Sequence, residues 1–145
     1  MGKYLHESKN PMSIQVMIVD DNDLVREALQ TWLMIAFPGC EFQDANCGED
    51  AVTLARSNPP DLVLMDLGLP GMNGIEAIRQ FKAHAPQIQI VMLSIHEDAQ
   101  YVAEAIKAGA SIYISKRRMH TELIPILYKL LFEPTMNLNI QGENT

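Results

Sequence analysis

The chain has 145 residues, a length suited to one compact domain, and its 48% apolar and 20% charged residues exclude a disordered or fibrous protein. The 18 acidic and 11 basic residues give a formal net charge of −7, which argues against direct nucleic-acid binding because such binding depends on Lys and Arg. No segment has the roughly 18 uncharged apolar residues of a membrane-spanning helix, and the N-terminus lacks the apolar run of a secretory signal, so we expect a cytoplasmic location and no membrane contact.

Short apolar runs alternate with amphipathic segments along the chain. The predicted strands are Ile14–Val19, Cys40–Ala45, Leu62–Met65, Ile88–Leu93 and Ser111–Ser115. The predicted helices are Leu24–Phe37, Glu49–Ser57, Ile75–His84, Ala99–Ala108 and Thr121–Phe132. Strands and helices in alternation favour right-handed crossovers. We therefore predict a three-layer, doubly wound (βα)5 domain of the α/β class, with a five-stranded parallel sheet.

The predicted domain covers residues 14–132. Residues 1–13 are predicted to be a flexible N-terminal extension, and residues 133–145 a flexible tail or the start of a linker, because both are short and lack helical periodicity. Cys40 and Cys47 are too far apart along an extended segment, at about 3.3 Å per residue, to form a disulfide. With no cluster of further metal ligands around them, we expect two free thiols.

Polar residues occupy the ends of four predicted strands. Asp20 and Asp21 follow the first strand, Asp66 the third, Ser94 the fourth and Lys116 the fifth. The carboxyl ends of parallel strands lie along one edge of the sheet, where such folds bind their ligands. Three carboxylates in one place repel one another unless a cation is present, and an all-oxygen set suits Mg²⁺. A carboxylate beside a cation and a lysine is suited to phosphoryl transfer.

Four motifs resemble the receiver domains of bacterial two-component response regulators. They are VDDN at 19–22, LMDLGLPGMNGIEAI at 64–78, MLSIHED at 92–98 and AGASIYISK at 108–116. The second and third are similar to those of the LuxR/NarL-type subgroup. The resemblance implies a flavodoxin-like receiver fold. It also implies a signalling function, in which a sensor histidine kinase phosphorylates the domain and the domain controls an output such as transcription, through a domain outside this chain.

The resemblance also implies roles for individual residues at the acidic site. Asp66 would be the phosphoacceptor. Asp21 and Asp66 would bind Mg²⁺ directly, together with the backbone carbonyl of Gly68, and Asp20 would act through a bound water. The domain would assist its own phosphorylation and dephosphorylation without being an enzyme in the usual sense.

A second group of residues would bind the phosphoryl group and respond to it. Lys116 would pair with the carboxylate and then with the phosphoryl oxygens, Ser94 would hydrogen-bond the phosphoryl group, and Tyr113 would change rotamer with it. Ile95, where many receivers have a small residue, and His96 occupy positions that tune access to the site. We do not expect His96 to bind metal.

One departure from the family concerns the backbone after Lys116. The family lysine often precedes a proline in a cis peptide bond, whereas Arg117 follows here. A cis bond before a residue other than proline costs about 3–4 kcal/mol, so we expect a trans bond.

The same residues argue against two other functions. Small aspartate-nucleophile phosphohydrolases typically carry a second Asp two residues after the nucleophile, where this chain has Gly68. A flavin module would need backbone donors for a phosphate after the first strand, where Asp20 to Asp23 would repel it. A stand-alone receiver that acts through protein contacts remains the alternative to a transcriptional output.

The first and last helices carry more apolar residues than one face of the sheet needs. At about 100° per residue, the predicted sheet-facing set of the last helix is Leu123, Ile124, Ile126, Leu127, Leu130 and Leu131, with Pro125, Tyr128 and Phe132 beyond it. The predicted set of the first helix is Leu24, Val25, Ala28, Leu29 and Trp32, with Leu33, Met34 and Phe37 beyond it. Pro125 is expected in a first turn. Excess apolar surface on adjacent helices predicts a homodimer or partner contact, unless an output domain or the tail covers it.

Overall fold

A five-stranded parallel sheet organises the chain in a computed structural model, which describes residues 13–69, 71–95 and 98–133. The strands are β1 (Ile14–Val19), β2 (Cys40–Ala45), β3 (Leu62–Asp66), β4 (Gln89–Ser94) and β5 (Ile112–Ser115). The helices are α1 (Asp23–Ala36), α2 (Gly48–Ser57), α3 (Gly74–His84), α4 (Ala99–Ala108) and α5 (Met119–Phe132). The strand order is β2-β1-β3-β4-β5, with every pair parallel. The predicted doubly wound (βα)5 fold is confirmed.

Alternate residues of the strands pack into two separate apolar layers. On β3, Val63 and Met65 pack with residues of α2, α3 and α4. Leu62 and Leu64 point the other way and pack with residues of α1 and α5. Because β3 is covered on both faces, its side chains are apolar without interruption, as expected for a central parallel strand.

Polar N-caps account for most differences between the predicted and observed helix bounds. Asn22, Cys47 and Asn73 each accept a hydrogen bond from a backbone N–H in the first turn, so α1, α2 and α3 begin one residue earlier than predicted. The capping residues and the small or polar residues that follow them carry no apolar periodicity, so the pattern places the boundary late. Both cysteines are free, as predicted. Burial raises the pKa of the Cys40 thiol, and the charge of Asp61 adds to this effect.

The last helix has the predicted buried face but a different start. Leu123, Leu127 and Leu130 are buried against the sheet. However, α5 begins at Met119, so Pro125 is inside the helix, beyond its first turn, and the expectation for this residue is wrong. Pro125 is exposed, and its missing N–H removes one helical hydrogen bond.

The predicted orientation of the first helix is wrong in part. Leu33 and Phe37, which were expected outside the sheet-facing set, are buried, and Leu24, which was expected inside it, is 78% exposed. Leu24 stands at the start of α1, in the first turn after the acidic loop. Phe37 stacks on Phe132 at the other end, with ring centroids 6.2 Å apart. The two helices are therefore adjacent, as expected.

The described part of the chain contains no helix that is long and apolar enough to cross a membrane.

Gly74 allows α3 to start directly against the end of β3. A Cβ atom at this position would lie 2.8 Å from the carbonyl oxygen of Asp66 and 2.8 Å from the Cα of Leu67. Both are backbone atoms, which cannot rotate away. The Gly74 amide also donates a 3.1 Å hydrogen bond to the Leu67 carbonyl, which keeps the two segments in contact.

We expect Gly74→Ala to lower the free energy of unfolding by about 1–3 kcal/mol, the usual cost of overpacking. Gly39→Ala is the matched control, because nothing lies within 4 Å of a Cβ there, and its effect should stay within about 0.5 kcal/mol. Urea denaturation of both variants and the wild type measures the difference. Equal stability of the two variants would contradict the close backbone contact.

Candidate functional site

The predicted site residues meet at one edge of the sheet. Val19 of β1 is in register with Met65 of β3, so Asp20 and Asp66 follow neighbouring positions on adjacent strands. Ser94 ends β4 and is in register with Ser115 of β5, which directly precedes Lys116. The carboxyl ends of four strands thus bring together residues that are up to 96 positions apart in the sequence.

Three carboxylates form a compact acidic cluster at this edge. One oxygen each of Asp20, Asp21 and Asp66 lies within 4.8 Å of the others. Asp20 is only 2% exposed, Asp66 is half-buried and Asp21 is exposed. Among the described residues, no histidine or cysteine joins the cluster. An all-oxygen set of this size, open on one side, fits Mg²⁺, which binds one or two carboxylates and retains waters or phosphate oxygens.

Lys116 provides the positive charge next to the cluster. Its Nζ lies 3.2 Å from Oδ2 of Asp20 and 3.4 Å from Oδ2 of Asp66. Burial alone would lower the pKa of the lysine, but the charges of Asp66 and Asp20 outweigh it and raise the pKa above its usual value. The Lys116 amide donates to the Ser94 carbonyl at 2.9 Å, which fixes the lysine to β4.

The other predicted residues surround this cluster. The Gly68 amide donates to Oδ1 of Asp66 at 3.1 Å, so the loop after β3 folds back onto the carboxylate. Ser94 is buried, and Tyr113 is half-buried against the apolar layer of α2, α3 and α4. Ile95 is 71% exposed. His96 lies outside the described residues, and its predicted influence on access stays a prediction, as does that of Ile95.

The backbone after Lys116 follows the expectation for this sequence. None of the peptide bonds that the structure describes is cis, so the bond between Lys116 and Arg117 is trans. The Arg117 amide donates to the Ser115 hydroxyl at 3.2 Å, which closes the turn that leads into α5.

Two residues that the sequence did not single out support the loops of the site. Arg26 of α1 donates to the Asp20 carbonyl at 2.8 Å. Glu49 of α2 accepts from the Met72 amide at 3.1 Å. Hydrogen bonds from its own backbone amide and from that of Met72 lower the pKa of Glu49. The only sequence signal for Arg26 is its spacing of three from Asp23, typical of a helical ion pair, and Glu49 has none.

Comparisons with known proteins place the chain in a family. The sequence model of the family described as the response regulator receiver domain matches residues 16–128. The transcriptional regulatory protein DegU of Brevibacillus brevis is 38% identical over 112 residues, which cover 77% of this chain and 48% of DegU. The response regulator UvrY of Escherichia coli K12 is 37% identical over 111 residues, covering 77% and 51%. The chain spans about half the length of these curated relatives.

A solved structure extends the likeness to three dimensions. The two-component response regulator of the LuxR family from Aurantimonas sp. SI85-9A1 is 31% identical, with a TM-score of 0.76, over 91% of this chain and 98% of that one. The motifs, the fold and the relatives all lead to the same assignment. The chain belongs to the response regulator receiver domain family, and its relatives are regulators of the LuxR/NarL type.

Proposed function

We propose that Asp66 accepts a phosphoryl group from a sensor histidine kinase, and that the domain then changes conformation to control an output. The observation that carries this proposal is the position of Lys116 Nζ against both Asp20 and Asp66, at the side of a three-carboxylate cluster. This arrangement provides a nucleophile, ligands for a cation and a fixed positive charge at one place. The similarity to the transcriptional regulatory protein DegU makes transcription the output that we propose.

Asp66 is the nucleophile in this proposal. One of its carboxylate oxygens attacks the phosphorus, and the new O–P bond forms as the bond to the donor breaks and the donor takes the electron pair. Asp21, Asp66 and the Gly68 carbonyl would hold Mg²⁺, with Asp20 acting through a water. When bound, the cation offsets the negative charge of the carboxylates and of the transferring group.

Lys116, Ser94 and Tyr113 convert the new charge into a change of shape. Lys116 already pairs with Asp66 and, in this proposal, moves its pairing to the phosphoryl oxygens. The buried Ser94 hydroxyl lies on the adjacent strand and turns toward the same oxygens. Tyr113 then changes rotamer on β5, which passes the change to the surface formed by β5 and its neighbouring helices.

We expect incubation with acetyl phosphate and Mg²⁺ to add about 80 Da to the wild type and nothing to Asp66→Asn, because the amide cannot attack phosphorus. Intact-protein mass spectrometry measures the adduct. Asp61→Asn is the matched control. Asp61 directly precedes β3, at the opposite end of the strand from Asp66, and accepts a hydrogen bond from the Gln15 amide. An adduct that persists in Asp66→Asn, or that resists hydroxylamine, which cleaves acyl phosphates, would refute this phosphoacceptor.

Asp21→Ala should weaken Mg²⁺ binding by at least about tenfold, a loss seen even for residues that only orient a metal ligand. The same change should raise the melting temperature without metal, because it relieves repulsion within the cluster. Calorimetric titration and thermal unfolding measure the two effects. Glu104→Ala removes an exposed charge of α4 and should change neither. Unchanged Mg²⁺ affinity in Asp21→Ala would exclude the ligand role.

We propose further that the domain forms a homodimer through α1 and α5. Four large apolar side chains are exposed toward the C-terminal ends of these helices: Met34 (51%), Ile35 (77%), Tyr128 (52%) and Phe132 (48%). We call them the α1/α5 patch. The rings of Tyr128 and Phe132 lie 5.1 Å apart, and Phe132 stacks on Phe37, which connects α5 to the end of α1. A second copy covers such a surface by two-fold symmetry.

We expect the wild type to sediment as a dimer at high micromolar concentration, and Met34→Glu plus Tyr128→Glu to sediment as a monomer, because charges cannot be buried unpaired at the interface. Ile106→Glu plus Tyr101→Glu also replaces one non-aromatic apolar side chain and one tyrosine by glutamate, on α4, where both residues are exposed, and should remain dimeric. Phe37 is unsuitable for the test because it is buried. A wild type that stays monomeric with and without phosphorylation would overturn the dimer.

A further inference from the structure

Arg26 connects three segments of the chain directly beside the acidic cluster. Its Nη1 donates to the Asp20 carbonyl at 2.8 Å, its Nε to Asp44 at 2.7 Å and its Nη2 to Asp23 at 2.7 Å. These acceptors belong to the β1–α1 loop, to β2 and to the first turn of α1. The side chain is only 14% exposed. One guanidinium therefore ties the loop that carries Asp21 to both neighbouring elements.

The loop is held from both sides of Asp20. The Asp20 amide donates to the Ala45 carbonyl at 3.2 Å, and Arg26 holds the Asp20 carbonyl. The Asn22 amide donates to Oδ1 of Asp20 at 2.9 Å. Among the hydrogen bonds of the described residues, only the one from Arg26 reaches the peptide group between Asp20 and Asp21. The direction of the Asp21 side chain depends on the orientation of that peptide group.

The positive charge of Arg26 would weaken cation binding at the acidic cluster, whereas its hydrogen bonds to the loop would favour it. A guanidinium close to the cluster repels a cation, but Asp23 and Asp44 lie against it and offset its charge. Its hydrogen bonds leave the planar group in three directions, each to a different segment. Lysine has the same charge but one donor group, and so cannot make this set of contacts. Geometry and charge can therefore be separated by exchanging arginine for lysine.

We infer that Arg26 is a positioning residue, which holds the Asp20–Asp21 loop in the geometry that binds Mg²⁺. This inference rests on the proposed function, because it supposes that the acidic cluster binds the cation. It assigns Arg26 no contact with the metal or with the phosphoryl group. Residues that orient metal ligands typically contribute at least about tenfold to affinity.

The test is Arg26→Lys, with Mg²⁺ affinity measured by calorimetric titration of the unphosphorylated protein. We expect the dissociation constant to rise about tenfold. Arg79→Lys is the matched control, because Arg79 forms an exposed ion pair with Glu76 on α3, at 3.5 Å. The Mg²⁺ affinity of this variant should equal that of the wild type. Wild-type affinity in Arg26→Lys would show that the contacts of the guanidinium are not needed for Mg²⁺ binding and would overturn the inference.

A second readout needs no metal. Amide hydrogen exchange of Asn22, whose N–H donates to Oδ1 of Asp20, reports the order of the loop, and we expect faster exchange in metal-free Arg26→Lys than in the wild type or Arg79→Lys. A variant that melts at a lower temperature, with unchanged loop exchange and unchanged Mg²⁺ affinity, would show a merely structural role. That result also overturns the inference.

Three further outcomes are informative. If Arg26→Lys fails to fold, Asp44→Ala removes the acceptor of Nε and should still speed the exchange of the Asn22 amide, and unchanged exchange would refute the inference. If the wild type itself binds no Mg²⁺, the proposed function fails, independently of Arg26. If the wild type binds Mg²⁺ and is phosphorylated while both Arg26 readouts are unchanged, only the inference about Arg26 fails.

Discussion

Repulsion among three carboxylates is the constraint on which the rest of this structure depends. Asp20, Asp21 and Asp66 lie within 4.8 Å of one another, and Asp20 is nearly fully buried. Lys116 offsets part of the charge through Asp20 and Asp66, while Asp21 faces solvent. Such a cluster is not stabilising by itself, so the scaffold must hold it. In the proposed function, a cation and a phosphoryl group would meet a site that is already charged and oriented, which is what preorganisation requires.

The scaffold meets this constraint with a rigid sheet and supported loops. β3 is buried on both faces, which fixes the position of Asp66 at its end. Gly74 starts α3 against the same strand end, so the loop between them has little freedom. Arg26 and Glu49 hold the loops on either side. The side chains of the acidic site are thus held by strands, helices and loops that are themselves fixed by contacts outside the acidic cluster.

The strands and the site could be predicted because their signals are local. A central parallel strand is apolar throughout, and the residue after it faces the ligand edge, so Asp66 and Lys116 are found by position alone. The faces of α1 were harder, because apolar residues also occur outside its main apolar face. Leu33 and Phe37 are buried by contacts with residues far along the chain, including Phe132, and no periodicity within α1 contains that information.

Arg26 shows the same limit at the site itself. Two of its acceptors, Asp20 and Asp44, lie in the β1–α1 loop and on β2, and these two segments come together only when the sheet forms. A sequence pattern records the spacing from Asp23 but not the convergence of three segments on one guanidinium. Contacts that depend on tertiary structure, such as this one, are therefore found only once the strand order is known.

α1 links the acidic site to the surface proposed for association. Its first turn carries the Asn22 cap and the Arg26 contacts, and its far end carries Met34 and Ile35. A helix of this length spans about 21 Å at 1.5 Å per residue, which is enough to reach from the acidic site to the patch. Phe37, directly after the helix, is stacked on Phe132 of α5. The Asp20–Asp21 loop and the α1/α5 patch are therefore connected by one packed helix rather than by a flexible linker.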